Sequence, residues 1–227
     1  MKCKLIIAFF PAILFYASSC QQKIGNIDLK TDHDTVSYLI GHNIGTSLAS
    51  SPMTEFNVKA ISKGFQDGLK KEELFMDPNM ANRLIGEYMS NLEQLESQKD
   101  FEEGIAFLDM NKTRDGVITT ESGLQYEILV EGTGPKPTDT STVTVHYHGT
   151  LIDGTVFDSS VERDEPVNFG VNQVIAGWTE ALQLMREGSK WKLYIPSELG
   201  YGANPRPGGI IKPNMALIFE VELIAVN

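Results

Sequence analysis

The feature that most constrains this chain is a change of hydrophobic period. Before about residue 111 apolar side chains recur every three or four positions, and after about residue 124 every second one. Helices bring i, i+3 and i+4 to one face, and strands bring i and i+2. The chain is therefore expected to be α+β, with an all-helical first part and a second part built on an antiparallel sheet with a short helix. In the first part, "DHDTVSYLIGHNIGTSLAS" sets Val36, Leu39, Ile40, Ile44 and Leu48 at helical spacing, with Asp32 or Asp34 as the N-cap. "NVKAISKGFQDGLKK" repeats the pattern with Val58, Ile61, Phe65 and Leu69 after a cap at Asn57. A third helix opens at Asp77-Pro78, a cap followed by proline at the first helical position. It carries Met80, Leu84, Tyr88, Leu92 and Leu95 and is predicted to run to about Asn111, a length unusual in a compact domain. Two short helices cover only part of such a narrow stripe, so a second copy of the chain is the expected partner.

Beyond "NKTRDGVITT" the second period takes over. "LQYEILV" places Leu124, Tyr126, Ile128 and Val130 on one face. In "VTVHYHG", Val143, Val145 and Tyr147 share one face, and Thr142, Thr144, His146 and His148 the other. Asp153-Gly154 is a hairpin turn, "TEALQLM" a short helix, and Gly188 its C-terminal cap. "SKWKLYIP" and "ALIFEVELIAV" are further strands, the last with Leu217, Phe219, Val221 and Leu223 facing inward.

The amino terminus follows another rule. Lys2 and Lys4 precede "LIIAFFPAILFYA", which is shorter than the ~20 residues a bilayer span needs. It has the size of a signal-peptide core and ends in "ASSC". The stretch resembles a bacterial lipoprotein signal, which implies export, cleavage before Cys20 and a lipid on its sulfur, although Ala17 stands where that signal usually has leucine. An ordinary cleaved signal and an uncleaved anchor are the alternatives. The other cysteine, Cys3, lies within the signal, so the processed protein would hold no disulfide and its fold must rest on its core. Residues 21–30 read as a tether. With 19 Lys and Arg against 30 Asp and Glu, no nucleic-acid partner is expected.

Chemistry narrows next. His146 and His148 are two apart on the polar face with no third ligand at an evident spacing, so solvated strand residues are expected there and no metal site. No serine sits in an activating motif, and Asp153 is explained by its turn. The apolar face offers more. Tyr147, Phe157, Trp178, Tyr201 and Phe219 come from five separate segments. Each alone is more often core than site, but their neighbours differ from core. Asp158 adjoins Phe157, Val174 and Ile175 precede Trp178, and the Gly- and Pro-rich loop after Tyr201 holds Ile210 and Ile211. Such a loop can cover an apolar pocket.

The segments "GLQYEILVEGTG", "VTVHYHGTLIDGTVFDSS", "EPVNFGVNQVIAGWTEALQLMREGSKWKLYIPSELGYG" and "GIIKPNMALIFEVELI" closely resemble the FK506-binding class of peptidyl-prolyl isomerases, in order from about Ser122 to Val226. The helical part is similar to the dimerisation domain of its macrophage-infectivity-potentiator-like branch. The resemblance implies a half-wrapped antiparallel sheet around a short helix, with domains at 1–19 (signal), 20–113 (helical dimerisation domain and linker helix) and 114–227 (isomerase). It implies a catalytic set of Tyr147, Phe157, Asp158, Trp178, Tyr201 and Phe219. Trp178 would be the floor and Tyr201 a donor to a bound carbonyl. It implies substrate contacts from Val174, Ile175, Ile210, Ile211, Val167 and Arg163, and no cofactor. Implied partners are proline-containing unfolded polypeptides, a second copy through the N-terminal helices, the membrane through the lipid, and FK506- or rapamycin-type ligands. The location implied is the bacterial envelope, on the periplasmic face or outer membrane. A chaperone or surface-interaction module with incidental isomerase activity is the alternative. Two positions depart from the family. Many members have an aromatic where this chain has Val167, so that wall should be lower, and the loop "ANPRPGG" is one residue longer, with Arg206 and no histidine.

Overall fold

In the computed structural model, which describes residues 22–24 and 27–227, the change of period becomes a change of architecture. Residues 1–19, expected from the sequence to be a signal, and Cys20 lie outside the described residues. The chain divides into two compact units, residues 1–57 and 58–227.

The first unit holds β1 (Gln22–Ile24), β2 (Ile27–Leu29) and α1 (Asp32–Ala49). β1 and β2 pair antiparallel, so the expected tether is in part a two-stranded ladder. Backbone pairing of three-residue strands needs no hydrophobic pattern, which is why the sequence gives no sign of it. α1 is capped by Thr31 rather than by Asp32 or Asp34. The Thr31 hydroxyl accepts from the Asp34 N–H at 3.1 Å, and the Thr31 N–H donates to the Asp34 carboxylate at 3.0 Å. Asp34 is thus the reciprocal member of a capping box, a role a carboxylate can fill as well as that of the cap.

The second unit begins with α2 (Val58–Lys70) and α3 (Pro78–Asn111). α3 starts where the sequence places it, because the Asp77 carboxylate accepts from the Asn79 and Met80 N–H groups and Pro78 needs no donor. Its 34 residues span about 50 Å. No helix among the described residues is long and apolar enough to cross a membrane.

Seven strands follow: β3 (Ile118–Thr119), β4 (Gln125–Val130), β5 (Thr142–Thr150), β6 (Val156–Ser159), β7 (Val167–Gly170), β8 (Lys190–Ile195) and β9 (Leu217–Val226). The antiparallel order is β3-β4-β8-β9-β5-β6, with β7 also on β5. α4 (Ala176–Leu184) crosses the concave face and buries Trp178, Ala181 and Leu182. It lies close to β8 because a Cβ on Gly177 would stand 2.7 Å from the Ile195 side chain. β5 alternates as read, with Val143, Val145 and Tyr147 inside and the threonines and histidines on the other face. β9 likewise buries Leu217, Phe219, Val221 and Leu223. β4 departs from its reading. Leu124 and Tyr126 face the core, but Ile128 and Val130 are exposed, because the register shifts between them and the strand nears the sheet's edge.

Candidate active site

Where α4 meets the concave face, the sheet does not close over the helix, and a cavity of about 690 Å³ remains. That size suits a small peptide segment. Its floor is Trp178, only 4% exposed. Three rings meet the indole edge to face: Phe219 at 5.2 Å and 79°, Tyr147 at 5.5 Å and 80°, and Phe169 at 5.8 Å and 85°. Phe157 meets Phe219 in the same way, at 5.3 Å and 83°. These are the arrangements that ring quadrupoles favour, and they fix the walls in place. Val174 and Ile175 come from the turn entering α4, and Tyr201, Ile210 and Ile211 from the loop between β8 and β9.

A bare backbone at Gly149 makes this packing possible. Gly149 lies between Asp158 on β6 and Phe219 on β9, and a Cβ there would come within 2.7 Å of the Phe157 ring and 2.8 Å of Phe219. Both rings pass over it.

One edge is polar. The Tyr147 hydroxyl donates to Asp158 Oδ2 at 2.6 Å, and Arg163 donates to Asp158 Oδ1 at 2.6 Å and to the Tyr147 oxygen at 3.0 Å. Burial alone would raise the Asp158 carboxyl, but the bonds from Tyr147 and Arg163 and the guanidinium charge outweigh it and hold it below the usual carboxylate range. Burial, and then the bond to Asp158, push the Tyr147 phenol up. Both oxygens of Asp158 are engaged, so the carboxylate orients Tyr147 rather than standing free as a base. By contrast, the Tyr201 hydroxyl makes no hydrogen bond to another described residue, and 42% of the residue is exposed.

Ten of the residues singled out from the sequence line this one cavity: Tyr147, Phe157, Asp158, Val174, Ile175, Trp178, Tyr201, Ile210, Ile211 and Phe219. Two do not. Val167 lies opposite Val145 in the β5–β7 ladder and packs on the core, so the wall expected to be low there is formed two residues on by Phe169. Arg163 is outside the lining and reaches the site through Asp158 and Tyr147. Sequence reasoning missed Phe169, although Val167 and Phe169 are two apart on one strand and share a face. It also missed Gln173 and Pro205, for which no local signal exists, and treated Arg206 only as a departure. The histidines stand on the other face, with His146 Nδ1 3.1 Å from Ser160 Oγ and His148 Nδ1 3.0 Å from Ser159 Oγ, where they tie β5 to β6.

Comparison with known proteins agrees with this geometry. Residues 134–224 match the FKBP-type peptidyl-prolyl cis-trans isomerase family, and residues 33–128 match the domain amino terminal to FKBP-type peptidyl-prolyl isomerase. The chain is 41% identical over 235 residues to the outer membrane protein MIP of Legionella longbeachae, covering all of this chain and 99% of that one. It is 42% identical over 194 residues to the FKBP-type 22 kDa peptidyl-prolyl cis-trans isomerase of Escherichia coli, covering 84% of this chain and 93% of the relative. The crystal structure of FkpA from Escherichia coli superposes with a TM-score of 0.68 at 31% identity, over 87% of this chain and 98% of that one. An aromatic pocket on a half-wrapped sheet, preceded in the chain by helices that match the family's own amino-terminal domain, places this chain among the FKBP-type peptidyl-prolyl cis-trans isomerases.

Proposed function

We propose that the enzyme isomerises X-Pro bonds in this cavity, with the prolyl ring on Trp178, walls from Tyr147, Phe157, Phe169 and Phe219, and the Tyr201 hydroxyl donating to a substrate carbonyl. The observation that carries the reading is the convergence of three rings, each nearly perpendicular to it, on one buried indole. The reaction needs no nucleophile or proton carrier. Its barrier of ~18–20 kcal/mol is the loss of amide resonance on twisting. The planar amide is the more charge-separated form, and water favours it. An apolar pocket does not, so transfer into the cavity lowers the barrier to the extent that the twisted amide is bound more tightly than the planar one. Asp158 and Arg163 hold Tyr147 against the indole. A protease-coupled assay on a proline tetrapeptide tests this. Phe157→Ala, which opens a wall to water, should lose most activity while remaining folded, and FK506-type macrolides should compete with the peptide. Full turnover by a folded Phe157→Ala protein would place the chemistry elsewhere.

The same reading makes the protein an exported envelope lipoprotein, acting on proline-containing polypeptides as they fold and dimerising through its N-terminal helices. Support comes from "ASSC" after a short apolar core, from the outer-membrane name carried by the Legionella relative, and from the exposed stripe Met80, Leu84, Tyr88 on α3. Cys20→Ser should abolish incorporation of labelled fatty acid and release the protein from membranes. Membrane association that survives the substitution would point to an uncleaved signal instead.

A further inference from the structure

The loop that closes the pocket is tied to a helix outside it. Tyr201 and Ile211 lie near the two ends of the segment 202–214, whose base is closed by the Asn214 N–H donating to the Gly202 carbonyl at 2.8 Å. Asn214 holds this position in the left-handed region, at φ 63°, which asparagine tolerates better than most side chains. Its side-chain amide turns away from the loop and donates to Ser97 Oγ of α3 at 2.8 Å, 117 residues away in the chain. Two residues further on, Ala216 meets α3 at Gly104, where a Cβ would stand 3.3 Å from the Ala216 Cβ. Gly104 is buried, and Ser97, Asp100, Phe101, Phe107 and Leu108 are half-buried on the same side. With Asn111 they recur at three- and four-residue steps, a docking stripe along about four turns of helix.

We propose that α3 is a positioning element for the catalytic loop: Ser97, through Asn214, fixes the closed base of segment 202–214 and so sets where Tyr201 and Ile211 stand over the X-Pro site. This rests on the pocket being the site of isomerisation. The bond acts at the hinge of the loop rather than on the substrate, so its loss loosens the loop without removing any group from the cavity. Uniform loosening of substrate contacts raises KM more than it lowers kcat.

The test uses the full-length protein. Ser97→Ala removes the acceptor and leaves a good helix former on α3, so melting should change little. Amide hydrogen exchange across 200–214 should quicken, and kcat/KM on a proline tetrapeptide should fall roughly five-fold, mostly through KM, as expected for one hydrogen bond. Ser97→Thr keeps a hydroxyl and should restore both. Gly104→Leu, which lifts the helix off Ala216, should reproduce the loss by a second route. Unchanged exchange at 200–214 in both Ser97→Ala and Gly104→Leu overturns the proposal, and so does a fall in kcat/KM without faster exchange. Exchange needs no substrate. A loop that responds in a protein without turnover would therefore support the tie to α3 and count against the pocket reading alone.

Discussion

At residue 149 a single methyl group separates a pocket from a clash. The space its Cβ would need is occupied by the Phe157 and Phe219 rings, both within 2.8 Å. Gly149→Ala should therefore push both rings from their edge-to-face contacts and destabilise the protein by about 1–3 kcal/mol, as overpacking does. Melting should show that cost, and the peptide assay should show a disproportionate loss of kcat/KM. An alanine protein with normal activity would mean that the ring positions do not matter. Tyr201→Phe keeps the ring and removes one donor, so a several-fold loss is expected, about 1 kcal/mol. His146→Ala and His148→Ala should turn over the same peptide near the wild-type rate, because both side chains lie on the far face of β5. The pocket aromatics were legible as residues because alternation separates Tyr147 from its flanking histidines. Gly149 was not legible. Its constraint comes from β6 and β9, which lie on either side of it only once the sheet has formed.

At the level of the element, α3 was legible in extent and illegible in its partner. Its cap, its proline and its end near Asn111 follow from local sequence, and so does the apolar stripe of its first half. The stripe that docks on the sheet domain mixes Phe101, Phe107 and Leu108 with Ser97, Asp100, Gly104 and Asn111, so apolar periodicity alone marks only part of it. Its polar contacts are specific: Asn111 donates to Gln125 at 2.8 Å and Gln125 to the Leu108 carbonyl at 2.9 Å, and just past the helix Arg114 pairs with Glu127 at 2.7 Å. Asp100 is the stripe's weak point. One of its oxygens is buried without a partner, in a hollow shared with Glu103, Asp153 and Ala216. Burial, then Glu96 and Glu103, push its carboxyl up to about 6, against the charges of Lys99 and Lys212. The folded-state value lies above the unfolded one, so folding takes up a proton between about pH 4 and 6. Stability from this site is present below that window and lost as pH rises through it. Asp100→Asn should remove this dependence and raise Tm at pH 7.5 by a few degrees. After allowance for solvent screening that corresponds to about 1 kcal/mol. A lower Tm for the asparagine protein at that pH would show that the ionised carboxylate is stabilising instead.

At the scale of the whole molecule, the two stripes of α3 divide its work. The stripe from Ser97 to Asn111 packs on the sheet domain of the same chain, whereas Met80, Leu84, Ile85 and Tyr88 remain more than half exposed. Val36, Leu39 and Ile40 on α1 are equally bare. Exposed apolar stripes on helices of this kind are what an isologous dimer buries. The sequence suggests cutting such a protein at its change of period, near Lys112, to obtain a free catalytic domain, but the structure argues against that cut. It would strip Gln125, which is 3% exposed with α3 in place, of both its side-chain partners, and each lost hydrogen bond costs about 0.5–1.5 kcal/mol. A chain of residues 21–227 should be dimeric by light scattering. One beginning at Asn91 loses the upper stripe and keeps the docking stripe, so it should be monomeric, melt near the parent's catalytic transition and isomerise a short peptide at the parent's rate. One beginning at Lys112 should also be monomeric but melt several degrees lower, with weaker binding of the peptide because the loop base has lost Ser97. A dimeric Asn91 chain would move the interface into the sheet domain. Equal melting of the two shorter chains would show that the lower half of α3 is a spacer and not part of the catalytic unit.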